Sequence, residues 1–205
     1  MIEGLVQHLT GDAIVGILAF QAVVLLVVFS NAAVLVRPRR TGSGTQPLVS
    51  LLVPARNEAA NVGSCVRSLL AQAYPRLEIL VLDDRSEDDT RAILERERVR
   101  DARLVVLPGE EPPPGWTGKN WACHQLSLAA HGDVLLFADA DTVFFEPDAV
   151  DKTVGALQAS RADLLSGLPR QALVAPGVQL LVPLFYWVFV GFMALGAHLL
   201  WRRGS

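Results

Sequence analysis

Only two cysteines occur in this chain of 205 residues, Cys65 and Cys123, each inside a probable helix. Two lone thiols build neither a disulfide framework nor a zinc site, and read as buried thiols of a reducing compartment. A basic excess is also missing. Eighteen Lys and Arg stand against 21 Asp and Glu, for a net charge of −3, so nothing here suggests a nucleic-acid partner. No Gly-x-Gly-x-x-Gly follows a strand-like run, and no Gly-Lys-Ser/Thr loop occurs, which removes the dinucleotide and P-loop phosphate cradles. There is no internal repeat, and past Asp163 the chain has no Asp or Glu at all. Apolar residues are what it has in abundance: 51% of the chain and a mean hydropathy of +0.35. That is too apolar for an ordinary soluble domain and fits one α/β domain plus membrane segments.

Ala13 to Val36 is interrupted only by Gln21, Ser30 and Asn31, and is long enough as a helix to cross a hydrocarbon core of ~30 Å. A cleaved signal peptide has a basic start and a shorter apolar core. This one starts with Glu3 and Asp12, and its basic cluster, Arg37, Arg39 and Arg40, follows the span. The positive-inside rule then places the amino terminus outside and the next domain in the cytoplasm, at the cell (inner) membrane. Thr41 to Thr45 is a short flexible linker. Ala172 to Leu200 is apolar and aromatic but broken by Pro176, Pro183 and several Gly. A simple crossing would put Arg202 and Arg203 outside, against the positive-inside preference. An interfacial or re-entrant segment avoids this, and both readings stay open. Neither apolar stretch contains Asp, Glu, Lys or Arg, which argues against a channel or transport subunit. The expected division is an extension over 1–12, a transmembrane helix over 13–36, a linker over 37–47, an α/β domain over 48–170 and a membrane-associated segment over 171–205.

Within the α/β domain, apolar runs alternate with helical patterns. Leu48–Val53, Leu77–Leu82, Leu104–Leu107 and Val134–Ala138 read as buried strands, the first ended by Pro54, and Leu164–Gly167 as a further short one. Helices are expected over about Asn61–Ala73 (inner face Val62, Cys65, Val66, Leu69, Leu70), from an acidic first turn at Glu87-Asp88-Asp89-Thr90 onward (Ile93, Leu94, Val99), over Asn120–Ala130, and over Asp148–Ala159 (Ala149, Val150, Val154, Leu157). Such alternation predicts right-handed crossovers and a mostly parallel sheet with helices on both faces.

Three polar clusters then fall at carboxyl ends of strands, where open α/β sheets bind ligands: Arg56-Asn57-Glu58, Asp83-Asp84 and Asp139-Ala140-Asp141. Alone, an Asp-x-Asp is as readily a solvated turn. On one rim, the clusters suit a nucleotide diphosphate, which needs an acceptor for a base N–H, cationic charge for phosphate and a metal bridging phosphate oxygens. Plain alternatives exist for single members: Glu58 as a first-turn helix acid, Asp83 as a turn former, Lys119 as a surface charge.

The motifs Val53-Pro54-Ala55-Arg56-Asn57-Glu58, Val81-Leu82-Asp83-Asp84-Arg85-Ser86-Glu87-Asp88 and Ala138-Asp139-Ala140-Asp141, in this order and spacing, resemble those of family 2 glycosyltransferases of the GT-A, Rossmann-like fold. Pro113 to Ala122, with its Trp116-Thr117-Gly118-Lys119-Asn120-Trp121 core, is similar to the membrane-bound branch acting on carotenoid and hopanoid-type lipids. The resemblance implies a metal-dependent, inverting transfer of a sugar from a nucleotide-diphosphate donor, with a UDP-sugar favoured, to a lipid hydroxyl, a polyprenyl phosphate being the rival acceptor. It implies that Pro54, Ala55, Arg56 and Glu58 border the nucleotide, that Asp84 (beside Asp83) accepts the base N–H, and that Asp139 holds ribose or donor sugar. Asp141 would bind Mg²⁺ or Mn²⁺, and Lys119 would approach phosphate or sugar. In the family, the catalytic base is an acid in a later motif, for which this chain offers no candidate; His198 reads as a packed or interfacial residue. The expectation is a member truncated after Ser205, and the alternative to an enzyme is a non-catalytic, donor-binding membrane protein.

Overall fold

The structure, a computed structural model, describes residues 2–34, 46–167, 169–171 and 176–192. Residues 37–45 of the expected linker, with Arg37 to Arg40, and His198, Trp201, Arg202 and Arg203 lie outside the described residues. The described residues fall into two compact units, one made from the two apolar segments and one from the α/β domain between them.

The α/β unit is built on a four-stranded sheet. Strand β1 (Val49–Ala55) pairs along its whole length with β2 (Leu77–Asp83), and on its other side with β4 (Val134–Phe137); β3 (Leu104–Pro108) flanks β2. Every pairing is parallel, in the order β3-β2-β1-β4, so all four carboxyl ends share one edge. Helices α2 (Val62–Leu70), α3 (Thr90–Arg100) and α4 (Gly118–Ala129) supply the crossovers, and α5 (Ala149–Ser160) follows β4. Alternate side chains of β1 divide the core. Val49, Leu51, Val53 and Ala55 meet residues of α2, α3 and α5 on one face, while Leu52 meets Leu80, Leu82, Ala122 and Leu126, the last two on α4, on the other. Each fully buried Leu or Val contributes about 1.5–3 kcal/mol of transfer free energy.

Four expectations need correction. Strand β1 runs through Pro54 to Ala55 instead of stopping at it. Leu52 and Pro54 face the β4 side, and β4 leaves the ladder as the Ala138 N–H donates to the Leu52 carbonyl at 3.0 Å. The N–H that proline lacks therefore has no ladder partner to lose. Strand β4 is parallel as expected but not buried. It is an edge strand, and Leu135 and Phe137 remain 42% and 46% exposed. On α3, Val99 is 85% exposed and Glu97 is buried in its stead, held by Arg67 of α2 at 2.9 Å and by Arg100 at 3.1 Å. Residues 164–167 form no strand.

In the second unit, α1 (Ile2–Val34) includes a 20-residue stretch, Asp12–Asn31, long and apolar enough to cross a membrane. The other apolar segment forms α6 (Pro176–Phe192), with Pro183 inside it. Gly191 of α6 brings the two helices close, and a Cβ there would sit 3.5 Å from Val24 Cγ1. Such small-residue contacts are how apolar helices pack in lipid.

At Gly132, just before β4, a Cβ would fall 2.5 Å from both the backbone nitrogen and Oγ of Ser50, and 3.0 Å from the Leu48 carbonyl. Gly132→Ala is expected to destabilise the protein by about 1–3 kcal/mol. Gly167→Ala, with open space around it, is expected to change stability by under ~0.5 kcal/mol. Thermal melting of both variants in detergent checks this; equal melting temperatures would refute the close approach.

Candidate functional site

The chain crosses from β3 back over β2 and β1 to reach β4, so the order reverses between β1 and β4. The crevice outside the carboxyl ends at such a switch point is where an open sheet takes its ligand. The loops leaving β1 and β2 there are bonded to each other. The Asn57 N–H donates to Ser86 Oγ at 3.0 Å, and the Glu87 N–H donates to Asn57 Oδ1 at 2.8 Å. Glu58 and Ala59 donate backbone N–H groups to Thr90 Oγ1 and Asp88 Oδ2. Both loops turn on a left-handed residue, Asn57 at φ 55° and Arg85 at φ 56°. Asn tolerates this conformation, while for Arg it costs about 1–2 kcal/mol. Backbone strain of this kind collects where the surroundings over-determine a geometry.

The adjacent acids of β2 have separate roles. Asp83 is buried and serves the turn: its side chain accepts the Ser86 N–H, and its carbonyl accepts the N–H groups of Arg85 and Gly109. Asp84 is also buried, but its carboxylate opens toward the crevice, with Arg85 Nε at 3.3 Å and Arg56 at 3.9 Å. Gly109 must be small. A Cβ there would lie 2.9 Å from the Asp84 Cα.

Beyond β4 the chain has no regular structure until α5, and one face of α2 holds it. The Cys65 thiol lies 3.7 Å from the Asp139 carbonyl, Ser68 Oγ accepts the Phe144 N–H at 3.0 Å, and Gln72 both donates to the Glu146 carbonyl at 2.9 Å and accepts the Val150 N–H at 3.1 Å. Burial, with the nearby carboxylates Asp141, Glu58 and Asp139, pushes the Cys65 thiol up to about 12. It is an inert packing group. Asp139 itself is bonded to Lys119 on α4, Nζ to Oδ1 at 2.6 Å. That hydrogen bond raises the lysine above its ordinary range.

These pieces enclose a pocket of about 320 Å³ lined by Pro54, Ala55, Arg56, Glu58, Asp84, Lys119, Asp139 and Asp141, together with Gly118, Ala122 and Ala140. Every residue singled out from the sequence except Asp83 borders it. Sequence reading missed the last three. The signal for Gly118 and Ala122 was their four-residue spacing, which puts two small residues on the face of α4 that meets the sheet. Four carboxylates and two cationic side chains line the pocket, a surplus of two negative charges that one divalent cation cancels. Among the described residues no three His, Cys, Asp or Glu converge on a metal position. Asp139 and Asp141 nonetheless fit Mg²⁺ or Mn²⁺, hard ions commonly held by one or two carboxylates plus water and substrate phosphate.

Gly109 to Thr117 closes one flank. Glu110 N–H donates to Gln125 Oε1 at 2.9 Å, Glu111 pairs with Arg85, and Trp116 packs on Trp121 and His124 with ring centroids 5.3 and 4.9 Å away. The buried Trp121 Nε1 has no hydrogen-bond partner.

Known proteins share this architecture. Glycosyltransferase AglE of Haloferax volcanii is 28% identical over 127 residues, covering 61% of this chain and 40% of that protein. A 4,4'-diaponeurosporenoate glycosyltransferase of Staphylococcus aureus is 30% identical over 111 residues, covering 54% and 28% respectively. The solved mannosyltransferase PcManGT from Pyrobaculum calidifontis, in complex with GDP-Man and Mn²⁺, superposes with a TM-score of 0.58 at 25% identity, over 71% of this chain and 43% of that one. The chain thus spans less than half the length of each of these proteins. Residues 50–191 match the family described as glycosyl transferase family 2. That stretch includes all three strand-end motifs, and the chain, with its GT-A α/β unit, belongs to glycosyl transferase family 2.

Proposed function

We propose that this protein transfers a sugar from a nucleotide-diphosphate donor to a lipid-type hydroxyl at the cell membrane. The observation that carries the donor half is the single pocket joining Asp84 with Asp139 and Asp141. Asp84, buried and opening to the crevice, accepts an N–H of the base. Pro54, Ala55, Arg56 and Glu58 border the nucleoside, and Asp139 takes a ribose or sugar hydroxyl. Asp141, with Asp139 beside it, would hold Mg²⁺ or Mn²⁺, a Lewis acid for the leaving diphosphate. Arg56 and Lys119 supply cationic charge toward the phosphates. The reaction is read as a single inverting displacement, in which the acceptor hydroxyl must lose a proton to a positioned base.

The lipid acceptor rests on the company the α/β unit keeps: an amino-terminal helix long enough to span a bilayer and a second apolar helix packed on it. The relative named a 4,4'-diaponeurosporenoate glycosyltransferase, a name that contains no phosphate, supports an acceptor other than a polyprenyl phosphate. The basic cluster after the span supports a cytoplasmic α/β domain with the amino terminus outside.

One observation favours a second reading, a donor-binding protein without turnover. All four acids lining the pocket, Glu58, Asp84, Asp139 and Asp141, are assigned to the donor, which leaves none among them for the acceptor's proton. Release of nucleoside diphosphate from a nucleotide sugar by the purified 205-residue chain would exclude that reading.

Calorimetric titration with UDP and with GDP tests the donor site. In saturating Mn²⁺ one of the two is expected to bind, and Asp141→Asn is expected to weaken it more than about tenfold by loosening the cation. Nucleotide affinity that is unchanged by Asp141→Asn, or independent of Mn²⁺, would overturn the metal role. Asp84→Ala removes the acceptor for the base and is expected to weaken the nucleotide by about 1–3 kcal/mol in the presence or absence of metal. A loss seen only with Mn²⁺ would reassign Asp84 to the metal side.

A further inference from the structure

Lys119 occupies an electrostatically poor position. It is the second residue of α4, in the turn where the helix dipole is positive and a cation is disfavoured by about 0.3–1 kcal/mol. Thr117, which precedes the helix, makes no side-chain cap, so the first-turn N–H groups receive no side-chain acceptor from it. Gly118 and Lys119 both line the pocket. A cation is tolerable in such a place when it faces an anion, and here it faces Asp139 at 2.6 Å, with Asp141 as a further, weaker attraction. The ammonium thus sits on one of the two carboxylates that suit the divalent cation. The other lining cation, Arg56, is similarly directed at a carboxylate, 3.9 Å from Asp84. In this arrangement both cations of the pocket are turned to carboxylates.

We infer that Lys119 is an exchangeable counter-ion. It holds the cation's place at Asp139 while the donor is absent, yields that carboxylate when the divalent cation arrives with the nucleotide, and turns its freed ammonium to the diphosphate. The inference rests on the donor-site reading above. Charge makes the exchange sensible. Cation and lysine cannot share one small carboxylate without repulsion, whereas a diphosphate at the α4 amino terminus satisfies the lysine and the first-turn N–H groups together. The Lys119–Asp139 pair is exposed, with side chains 66% and 60% accessible. It is therefore weak enough to be given up.

The exchange has two opposed signatures. Lys119→Met is expected to bind Mn²⁺ alone more tightly than the natural chain, by up to about fivefold, the range of an exposed ion pair. With saturating Mn²⁺, the same variant is expected to bind the nucleoside diphosphate about tenfold more weakly, having lost a charged hydrogen bond. Asp139→Asn supplies a second arm. In EDTA it is expected to strengthen nucleoside diphosphate binding by freeing Lys119, and adding Lys119→Met is expected to abolish that gain. Calorimetry on the full chain in detergent reads all of these, with circular dichroism confirming that each variant is folded. Mn²⁺ affinity unchanged or weakened in Lys119→Met overturns the exchange, as does an Asp139→Asn gain that survives removal of the lysine. If the natural chain binds neither Mn²⁺ nor UDP nor GDP, the donor-site reading itself fails and the exchange with it. Binding by the natural chain without the opposed signatures overturns the exchange alone.

Discussion

The parallel pairing of β1 with a neighbour on each side is the constraint on which the molecule depends. Its seven-residue register with β2 fixes Ala55 opposite Asp83, and its shorter register with β4 brings Leu52 opposite Phe137. Because all strands run one way, their last residues arrive at one edge, and each is followed by a turn that must leave the sheet. Nothing about Glu58, Asp84 or Asp141 individually would bring them within one pocket. The ladder does so, by ending three apolar strands along one edge, β4 three residues short of β1, and letting polar sequence begin there. Pro54 contributes by having no N–H to offer at the level where β4 has departed. The crevice between β1 and β4 therefore opens without breaking a hydrogen bond.

The walls of that crevice are held by different means. On one side, Asn57, Glu58 and Ala59 are bonded to Ser86, Thr90 and Asp88, so the loops after β1 and β2 form one laced body. The Asp139–Asp141 side has no such lacing to the sheet. Cys65 and Ser68 on α2, with Gln72 just past its end, hold it from behind through backbone groups of residues 139–150. The third wall, the start of α4, is fastened through Ala122 and Leu126 in the second core and through the Trp116–Trp121–His124 stack.

Much of this was legible in the sequence because it depends on local pattern. Apolar runs bounded by turn residues found β1 to β4, and the polar clusters after three of them found every charged member of the pocket but Lys119, which came from the Trp116–Trp121 loop. What was illegible depended on partners far along the chain. Val99 fits the inner stripe of α3 by spacing, yet Glu97 is buried there because Arg67, thirty residues earlier, reaches it. Leu135 and Phe137 read as core because a continuous apolar run does not reveal whether its strand has one neighbour or two. Asp83 reads as the turn former of its pair and Asp84 as the ligand-facing acid; the turn geometry that sends the Asp83 carboxylate to the Ser86 N–H and the Asp84 carboxylate toward the crevice is supplied by the structure. Gly118, Ala122 and Ala140 were passed over because small residues carry no chemistry, and their contribution is the space they leave.

The unequal fastening of the three walls governs how such a site can diverge between lineages. Around Asn57 and Ser86 a single replacement disturbs several bonds at once, so change there is mechanically costly. Ala122 is packed into the second core and has no room to grow, but Gly118, one turn earlier, has room: a Cβ there would meet only Asp84 Oδ2, at an ordinary 3.5 Å. A larger side chain at Gly118 narrows the crevice beside Asp84 while the loops after β1 and β2 keep their mutual bonds. One scaffold can in this way keep its laced wall and vary, residue by residue, the space that faces it.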